Sequence, residues 1–198
     1  LNQPMLDRAK KVQGNDPRIE WKAADALALP FQDDSFEVVC CQFGVMFFPD
    51  RVAGYAEARS VLKPGGRFLF NAWDKIEHND FANIVTQTAG EVFPDDPPLF
   101  LARTPHGYND IVKIESDLRA AGFAGISIET ISEVSSAPTA RHPAVAYCEG
   151  TPLRNEIEAR DASRLGEITN LATSAIATRY GHGPVAAKIQ GHVATATT

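Results

Sequence analysis

The chain has 198 residues, of which 44% are hydrophobic and 22% are charged. These fractions are close to those of an average soluble globular protein, so they exclude a disordered or fibrous chain. The formal net charge is -6 at pH 7, and Lys and Arg do not cluster in the sequence. Nucleic acid is therefore not an expected partner, because phosphate binding depends on clustered basic side chains. The length is sufficient for a single domain with a real core.

The three cysteines are Cys40, Cys41 and Cys148. An odd count, with two adjacent residues in an apolar run, predicts buried, reduced thiols in a cytoplasmic protein rather than a disulfide framework. Their spacing does not predict a metal site. No apolar stretch approaches the roughly 20 residues that a membrane span requires. Because the sequence begins with Leu1 and lacks the pattern of a signal peptide, we expect it to be a piece of a larger protein.

The first half of the sequence alternates predicted helices and strands. Asn2 can cap a first helix, and a short strand is predicted at residues 19–22. The nearly continuous apolar run at residues 36–43 predicts a parallel strand that is buried on both faces. Asp50 can cap a second helix through Leu62. The sequence Lys63-Pro64-Gly65-Gly66 then predicts a type II turn, which leads into another buried strand at residues 67–73.

The second half of the sequence contains longer helical patterns. Apolar residues from Ile111 to Ala121 have helical spacing, and Gly122 stands where a C-terminal cap belongs. Alternation at residues 126–134 predicts an antiparallel or edge strand. Residues 142–164 and 167–179 are predicted to be helical and to form an insertion, and residues 185–197 are predicted to be the last strand. Alternating strands and helices are typical of a layered α/β domain.

Four segments, at residues 1–6, 23–31, 36–50 and 63–66, have an order and spacing that resemble the class I S-adenosylmethionine-dependent methyltransferases. The resemblance is closest to the ubiquinone and menaquinone C-methyltransferases, and it covers residues 1–75 well and the remainder by topology. It implies a Rossmann-like α/β sheet with helices on both faces. It also implies S-adenosylmethionine as the cofactor and a small molecule as the methyl acceptor.

The resemblance implies an adenine site near the start of the chain. Leu1 and Met5 would form one wall of that site; as an alternative, Met5 fills the core beneath an ordinary amphipathic helix. Asp25 would accept a hydrogen bond from the adenine amine, and the backbone N–H of Ala26 would donate to a ring nitrogen. The alternative for Asp25 is a cap on the turn that follows a strand.

The methionine portion of the cofactor would contact Gln42 and Phe43, because open α/β sheets bind ligands at the carboxyl ends of their strands. The neighbouring thiols of Cys40 and Cys41 have no predicted base partner, so a buried structural role is favoured over nucleophilic chemistry. The insertion at about residues 142–179 is expected to lie above Gln42, Phe43, Asn71 and Trp73. The alternatives for these helices are packing against the far edge of the sheet or a homodimer interface.

A general base for the acceptor is sought in and beside the insertion, where the candidates are His142, Tyr147, Glu149 and His182. A surface or packing role explains each of these four residues as well.

The sequence departs from the family at its start. The family's first strand, the glycine-rich loop after it and the acidic residue that binds ribose would all precede Leu1. The family strand order is 3-2-1-4-5-7-6, so a missing first strand would expose two strand edges. We therefore expect an incomplete methyltransferase domain that binds the cofactor weakly and is inactive alone. The alternative is a non-catalytic binding or interaction module; a nicotinamide-dependent oxidoreductase is disfavoured because no hydride-transfer residues are recognisable.

Overall fold

The protein is built on one mixed sheet of four strands, and its computed structural model describes residues 3–14 and 16–198. The strands are β1 (Phe36–Gln42), β2 (Leu62–Trp73), β3 (Gly125–Ala137) and β4 (Val185–Thr197). The helices are α1 (Gln3–Gln13), α2 (Arg51–Ser60), α3 (Asp80–Val92), α4 (Phe100–Arg103), α5 (Ile111–Ala120), α6 (Arg141–Cys148), α7 (Leu153–Asp161) and α8 (Leu165–Tyr180). Three short 3-10 turns stand at Val45–Phe47, Ile76–His78 and Ala162–Arg164.

The strand order in the sheet is β1-β2-β4-β3. β1 and β2 are parallel, and β4 runs antiparallel to both β2 and β3. Parallel neighbours need a crossover connection, which α2 supplies between β1 and β2. This order equals the 4-5-7-6 half of the sheet implied by the resemblance. The predicted Rossmann-like α/β fold class is therefore confirmed.

The caps predicted from the sequence set the ends of two helices. The Asp50 carboxylate accepts a hydrogen bond from the backbone N–H of Ala53 at 2.9 Å, which caps α2. At the end of α5, Gly122 has a φ of +90°. The N–H of Phe123 donates to the carbonyl of Leu118 at 3.1 Å, and the N–H of Gly122 donates to that of Arg119 at 2.9 Å. This pair of bonds is a Schellman motif, which requires the left-handed residue that glycine provides.

Two apolar cores lie against opposite faces of β4. One core joins α2 and α5 to the sheet and includes Ala194 and Ala196 of β4. The other core joins α3, α6, α7 and α8 to the start of β4, through Val185 and Ala187. Side chains at even and odd positions of a strand point to opposite faces, so helices pack on both sides of the sheet but at different ends of β4.

The strand predicted at residues 19–22 is wrong. These residues have no regular secondary structure, and the nearby pairing is an isolated bridge between Asp25 and Ala28. A strand is defined by its hydrogen-bonded neighbour, and no neighbouring strand lies beside this segment within the part of the chain that the structure describes.

The prediction that the first buried strand is covered on both faces is also wrong. Val39 and Cys41 pack against the core beneath α2, but Val38 is 41% exposed and Cys40 is exposed as well. The described helices cover only one face of β1, so alternate side chains remain open to solvent. The predicted burial is therefore wrong for the Cys40 thiol. It is confirmed for Cys148, which lies in the core of the helical insertion.

Burial along α8 leads to a first prediction about stability. Ile176 is fully buried, whereas Leu171 on the same helix is 44% exposed. Ile176→Ala should lower the free energy of unfolding by about 2–5 kcal/mol, because it removes buried methyl groups and leaves a cavity. Leu171→Ala is the matched control and should cost less than about 1 kcal/mol. Urea denaturation of both variants measures the difference, and equal losses would contradict the packing described for α8.

Candidate functional site

The candidate site lies where β1 and β2 end. Gln42 pairs with Asn71 at the carboxyl ends of these parallel strands, and Phe43 follows directly. The N–H of Phe43 donates a hydrogen bond to Oδ1 of Asn71 at 2.8 Å. Phe43 has a φ of +47°, a left-handed conformation that is uncommon for residues other than glycine. The bond to Asn71 therefore holds a sharp turn at the strand end and leaves the Gln42 side chain exposed.

Aromatic stacking organises the same edge. The rings of Phe43 and Trp73 stack with a centroid distance of 4.0 Å and an interplanar angle of 15°. Both rings line a cavity of about 260 Å³ on the open face of the sheet, which we term the sheet-face cavity. Its other walls come from β2, β3 and β4 and include Asn71, Ile131 and Val193. These walls are mostly apolar, as in ligand-binding clefts generally.

Trp73 also lines a second cavity of about 250 Å³, which we term the Trp73–His106 cavity. It lies between the end of β2, the 3-10 turn after β1, the segment around α4 and the turn between α6 and α7. Its lining consists of aromatic, proline and polar side chains with one leucine and one glycine: Phe47, Trp73, Asn79, Phe100, Leu101, Pro105, His106, Tyr147, Gly150, Thr151 and Pro152. Because Trp73 lines both cavities and Phe47 ends the 3-10 turn that follows β1, this cavity adjoins the site of Gln42 and Phe43.

A buried carboxylate anchors the end of β2. Asp74 is 6% exposed and accepts hydrogen bonds from the Lys75 N–H and the His78 ring at 2.7 Å each and from the Gln190 side-chain amide at 2.5 Å. The Nε2 atom of His192 lies 3.2 Å from Oδ1 of Asp74. Burial by itself would raise the pKa of Asp74, but these hydrogen bonds and the nearby His192 lower it to about 2. Asp74 is therefore ionised at neutral pH and ties β2 to β4.

His106 is held beside this carboxylate. The ring is 5% exposed, its Nδ1 atom lies 2.8 Å from the backbone carbonyl of Asp74, and its centroid is 6.0 Å from that of Trp73. Burial lowers the pKa of His106 below its ordinary value, against the opposing effects of the Asp74 carbonyl and of the charges on Asp74 and Glu77. A neutral imidazole therefore faces the cavity at pH 7.

The residues predicted to bind adenine all precede β1 in the sequence, so none of them belongs to the ends of β1 and β2. Leu1 lies outside the described residues. Met5 is 71% exposed on α1, where it borders a shallow cleft with Trp21. Oδ1 of Asp25 accepts a hydrogen bond from the N–H of Leu27 at 3.0 Å, so Asp25 caps the turn that contains Ala26. The role of these residues at a cofactor stays a prediction.

The turn that carries Asp25 is tied to the rest of the domain. The N–H of Leu29 donates to Oε2 of Glu57, on α2, at 2.9 Å. Because α2 also packs against the sheet, this hydrogen bond holds the Asp25 turn at a fixed place relative to β1 and β2.

The four candidates for a general base are not brought together. Tyr147 lines the Trp73–His106 cavity, and burial raises the pKa of its hydroxyl. His142 is exposed at the start of α6, where its Nδ1 atom lies 2.9 Å from Oγ1 of Thr139. Glu149 is exposed after α6, and His182 is exposed in the loop before β4. None of these three lines the cavity. The assignment of a catalytic role among the four stays a prediction.

The predicted insertion contains α6, α7 and α8, and its position differs from the expected lid. The three helices pack mainly on one another, on α3 and on the start of β4. The turn between α6 and α7 reaches Trp73 and borders the cavity. The insertion thus contributes one wall beside Trp73, whereas the sheet-face cavity next to Gln42 and Phe43 has no lining residue from it.

Sequence reasoning missed His106, Asp74 and Phe100. Each is a single residue in a segment without a recognisable motif, and each becomes part of a site only through contacts with distant strands. Among the described residues, no group of three or more His, Cys, Asp or Glu side chains is suited to a metal ion. No helix within those same ranges is long and apolar enough to cross a membrane.

Comparison with known proteins shows what this chain is similar to. Residues 1–70 match the model of the methyltransferase domain. The demethylmenaquinone methyltransferase of Clavibacter sepedonicus is 28% identical over 141 residues, which cover 64% of this chain and 55% of that protein. The mitochondrial 2-methoxy-6-polyprenyl-1,4-benzoquinol methylase of Mus musculus is 42% identical over 144 residues, which cover 67% of this chain and 44% of that protein. The chain resembles class I methyltransferases of the ubiquinone and menaquinone branch, as predicted.

The structural likeness agrees with this methyltransferase resemblance. A proposed methyltransferase of Bacillus halodurans superposes with a TM-score of 0.59 and 18% identity, over 100% of this chain and 80% of that one. At this identity the likeness shows the fold alone. The methyltransferase-like chain spans about half the length of the curated relatives that it matches.

The Asp74 network yields a pH-dependent prediction. A carboxylate whose pKa is depressed by folding stabilises the native state above its ordinary pKa, and this stabilisation is lost as the pH falls towards 2. Asp74→Asn should therefore lower the free energy of unfolding by roughly 2 kcal/mol at pH 7. The difference from wild type should shrink between pH 4 and pH 2.

Urea denaturation across this pH range measures the effect. Glu91→Gln, at an exposed position on α3, is the control and should have little effect at any pH. An Asp74→Asn difference that is the same at pH 2 as at pH 7 would show that the carboxylate charge does not stabilise the fold.

Proposed function

We propose that this chain is part of an S-adenosylmethionine-dependent methyltransferase that methylates a ring of a quinone-type small molecule. The observation that carries the proposal is the match of residues 1–70 to the methyltransferase domain, together with the strand order β1-β2-β4-β3. The acceptor class follows from relatives that are named for demethylmenaquinone and for a polyprenyl benzoquinol. Since the chain spans about half of these relatives, the activity is proposed for the protein in its natural length.

The residues at the strand ends fit the methionine portion of the cofactor. The positive φ of Phe43 turns the chain away from the sheet and leaves the exposed Gln42 amide beside Asn71. Gln42 and Phe43 would therefore contact the methionine portion of the cofactor, since ligands of open α/β sheets bind at this edge. Asp25 and Ala26 would hold the adenine. Their turn already presents a carboxylate and a backbone N–H next to each other in sequence.

The chemistry supplied by S-adenosylmethionine is a methyl group on a positively charged sulfur. The main contribution of the protein is then to orient the acceptor for in-line transfer, because correct positioning removes much of the entropic cost of a two-molecule reaction. Phe47 and Trp73 provide flat apolar walls beside the strand ends, and such walls can align an aromatic ring and exclude water. A weakly acidic acceptor also needs a group that removes its proton.

Cofactor affinity tests this proposal. In the protein of natural length, Asp25→Ala should weaken S-adenosylmethionine binding by about 1–3 kcal/mol, because it removes the carboxylate proposed to accept the adenine amine. This corresponds to an increase in Kd of about 5- to 150-fold. Asp33→Ala, at an exposed position in the next turn, is the control and should leave Kd unchanged. Isothermal titration calorimetry gives both constants, and an unchanged Kd for Asp25→Ala would remove Asp25 from the site.

The same titration separates the enzyme from a non-catalytic interaction module. If the natural-length protein does not bind S-adenosylmethionine, the proposed enzymatic function is wrong and the module remains. A cytoplasmic location and a homodimer also stay predictions.

A further inference from the structure

The Trp73–His106 cavity has the size and walls of a site for one aromatic ring. Its volume is about 250 Å³, and Phe47, Trp73 and Phe100 supply aromatic surface. A cavity of about 150 Å³ already accepts benzene, so this one has room for a ring with substituents. Phe47 is 53% exposed, which places the mouth of the cavity next to the turn that follows β1.

Several polar groups of the cavity are already used by the protein. The Asn79 amide donates to the carbonyls of Asp74, Lys75 and Gln190, and its oxygen accepts from the N–H of Gln190. The Thr151 hydroxyl donates to a backbone carbonyl in α6 and accepts a backbone N–H at the start of α7. These side chains have no hydrogen left to donate to a ligand, because the Asn79 amide and the Thr151 hydroxyl already donate to backbone carbonyls.

His106 differs from these residues because one of its two ring nitrogens is free. Nδ1 lies 2.8 Å from the carbonyl oxygen of Asp74, and a carbonyl can only accept a hydrogen bond, so Nδ1 carries the hydrogen. In the neutral ring, Nε2 must then hold a lone pair. Within residues 3–14 and 16–198 the His106 ring makes this one side-chain hydrogen bond, and Nε2 is not among the fully buried atoms that lack a partner, so it borders accessible space. Nε2 is thus an oriented hydrogen-bond acceptor in a mostly apolar cavity.

We propose that the Trp73–His106 cavity binds a hydroxylated aromatic ring and that Nε2 of His106 accepts the hydrogen of the ring hydroxyl. The proposal rests on the proposed methyl-transfer function for the choice of a hydroxyl-bearing acceptor. The volume and the aromatic walls support the binding of a ring, and the acceptor nitrogen supports a hydroxyl group on that ring. These observations do not depend on the cofactor. Burial lowers the pKa of His106, so the acceptor form of the ring is present at neutral pH.

The same contact assigns a proton path during methyl transfer. Nε2 takes the hydroxyl proton, and the electron pair of the broken O–H bond increases the electron density on the neighbouring ring carbon. Bound S-adenosylmethionine would supply the methyl group for a new bond to that carbon, and the carbon–sulfur electron pair would stay on sulfur. The ring carbon then loses its hydrogen to water as a proton, and His106 returns its proton to the ring oxygen. The net products are the methylated ring, S-adenosylhomocysteine and one proton.

Ring binding can be measured without the methyl donor, so that it is independent of the cofactor test above. The probes are 1,4-dihydroxybenzene and its dimethyl ether, 1,4-dimethoxybenzene, which has no hydrogen to donate. The readout is the indole N–H signal of Trp73 in a ¹H–¹⁵N spectrum. The chain has two tryptophans, so the spectrum of Trp21→Phe assigns that signal. The dihydroxy probe should bind about three to ten times more tightly than the ether, as expected for one net hydrogen bond.

The variant His106→Asn tests the role of the nitrogen. The Asn side-chain nitrogen can replace Nδ1 and keep the bond to the Asp74 carbonyl, while Nε2 is lost. The variant should bind both probes with the same affinity, and its affinity for the ether should match that of wild type. Gln87→Asn, on the exposed side of α3, should retain the preference for the dihydroxy probe.

Three results would overturn the proposal: no saturable shift of the Trp73 signal, equal affinities of the two probes in wild type, or a preference that survives in His106→Asn. The wild-type comparison decides the matter even if the variant does not fold. Ring binding without any S-adenosylmethionine binding would leave the cavity assignment standing and would instead refute the proposed function.

Discussion

The parallel pairing of β1 with β2 is the constraint on which the candidate site depends. Its register sets Gln42 beside Asn71, so that the Asn71 side chain can accept the N–H of Phe43 and hold that residue at a positive φ. The turn directs the Phe43 ring onto Trp73. A shift of one residue in this register would reverse the faces of every side chain on β1 and would separate these groups.

The Asp74 carboxylate stabilises the same edge of the sheet through its contacts with β4. Asp74 follows directly after Trp73 and is bound by Gln190 and His192 of β4, which pairs with β2. Its backbone carbonyl also receives the His106 ring. The Asp74 carboxylate therefore holds β2 against β4. The backbone carbonyl of the same residue fixes the tautomer of His106, which lines the Trp73–His106 cavity. The pairing of β2 with β4 and the orientation of the His106 ring therefore depend on the same residue.

The two faces of the sheet are covered unequally. Beneath β1 and β2, the helices α2 and α5 enclose Phe68 and Phe70, whereas Val38 and Cys40 on the other face of β1 are exposed. The insertion covers that other face only at the start of β4. A ligand that enters at the strand ends therefore meets aromatic walls from both the sheet and the insertion around Trp73.

The sequence by itself determined the features that depend on residues near one another in the chain. These are the Asp50 and Gly122 caps and the positive φ of Gly65. The alternation of strands and helices along the chain likewise indicated the fold class. The sequence also placed Gln42 and Phe43 at the end of a strand, because a strand end is a local feature. Tertiary structure alone decided that residues 19–22 form no strand and that Cys40 is exposed, since both depend on which elements lie alongside. It likewise decided the site of His106, because only the packing of α4, β2 and the insertion brings that ring, Trp73 and Tyr147 around one cavity.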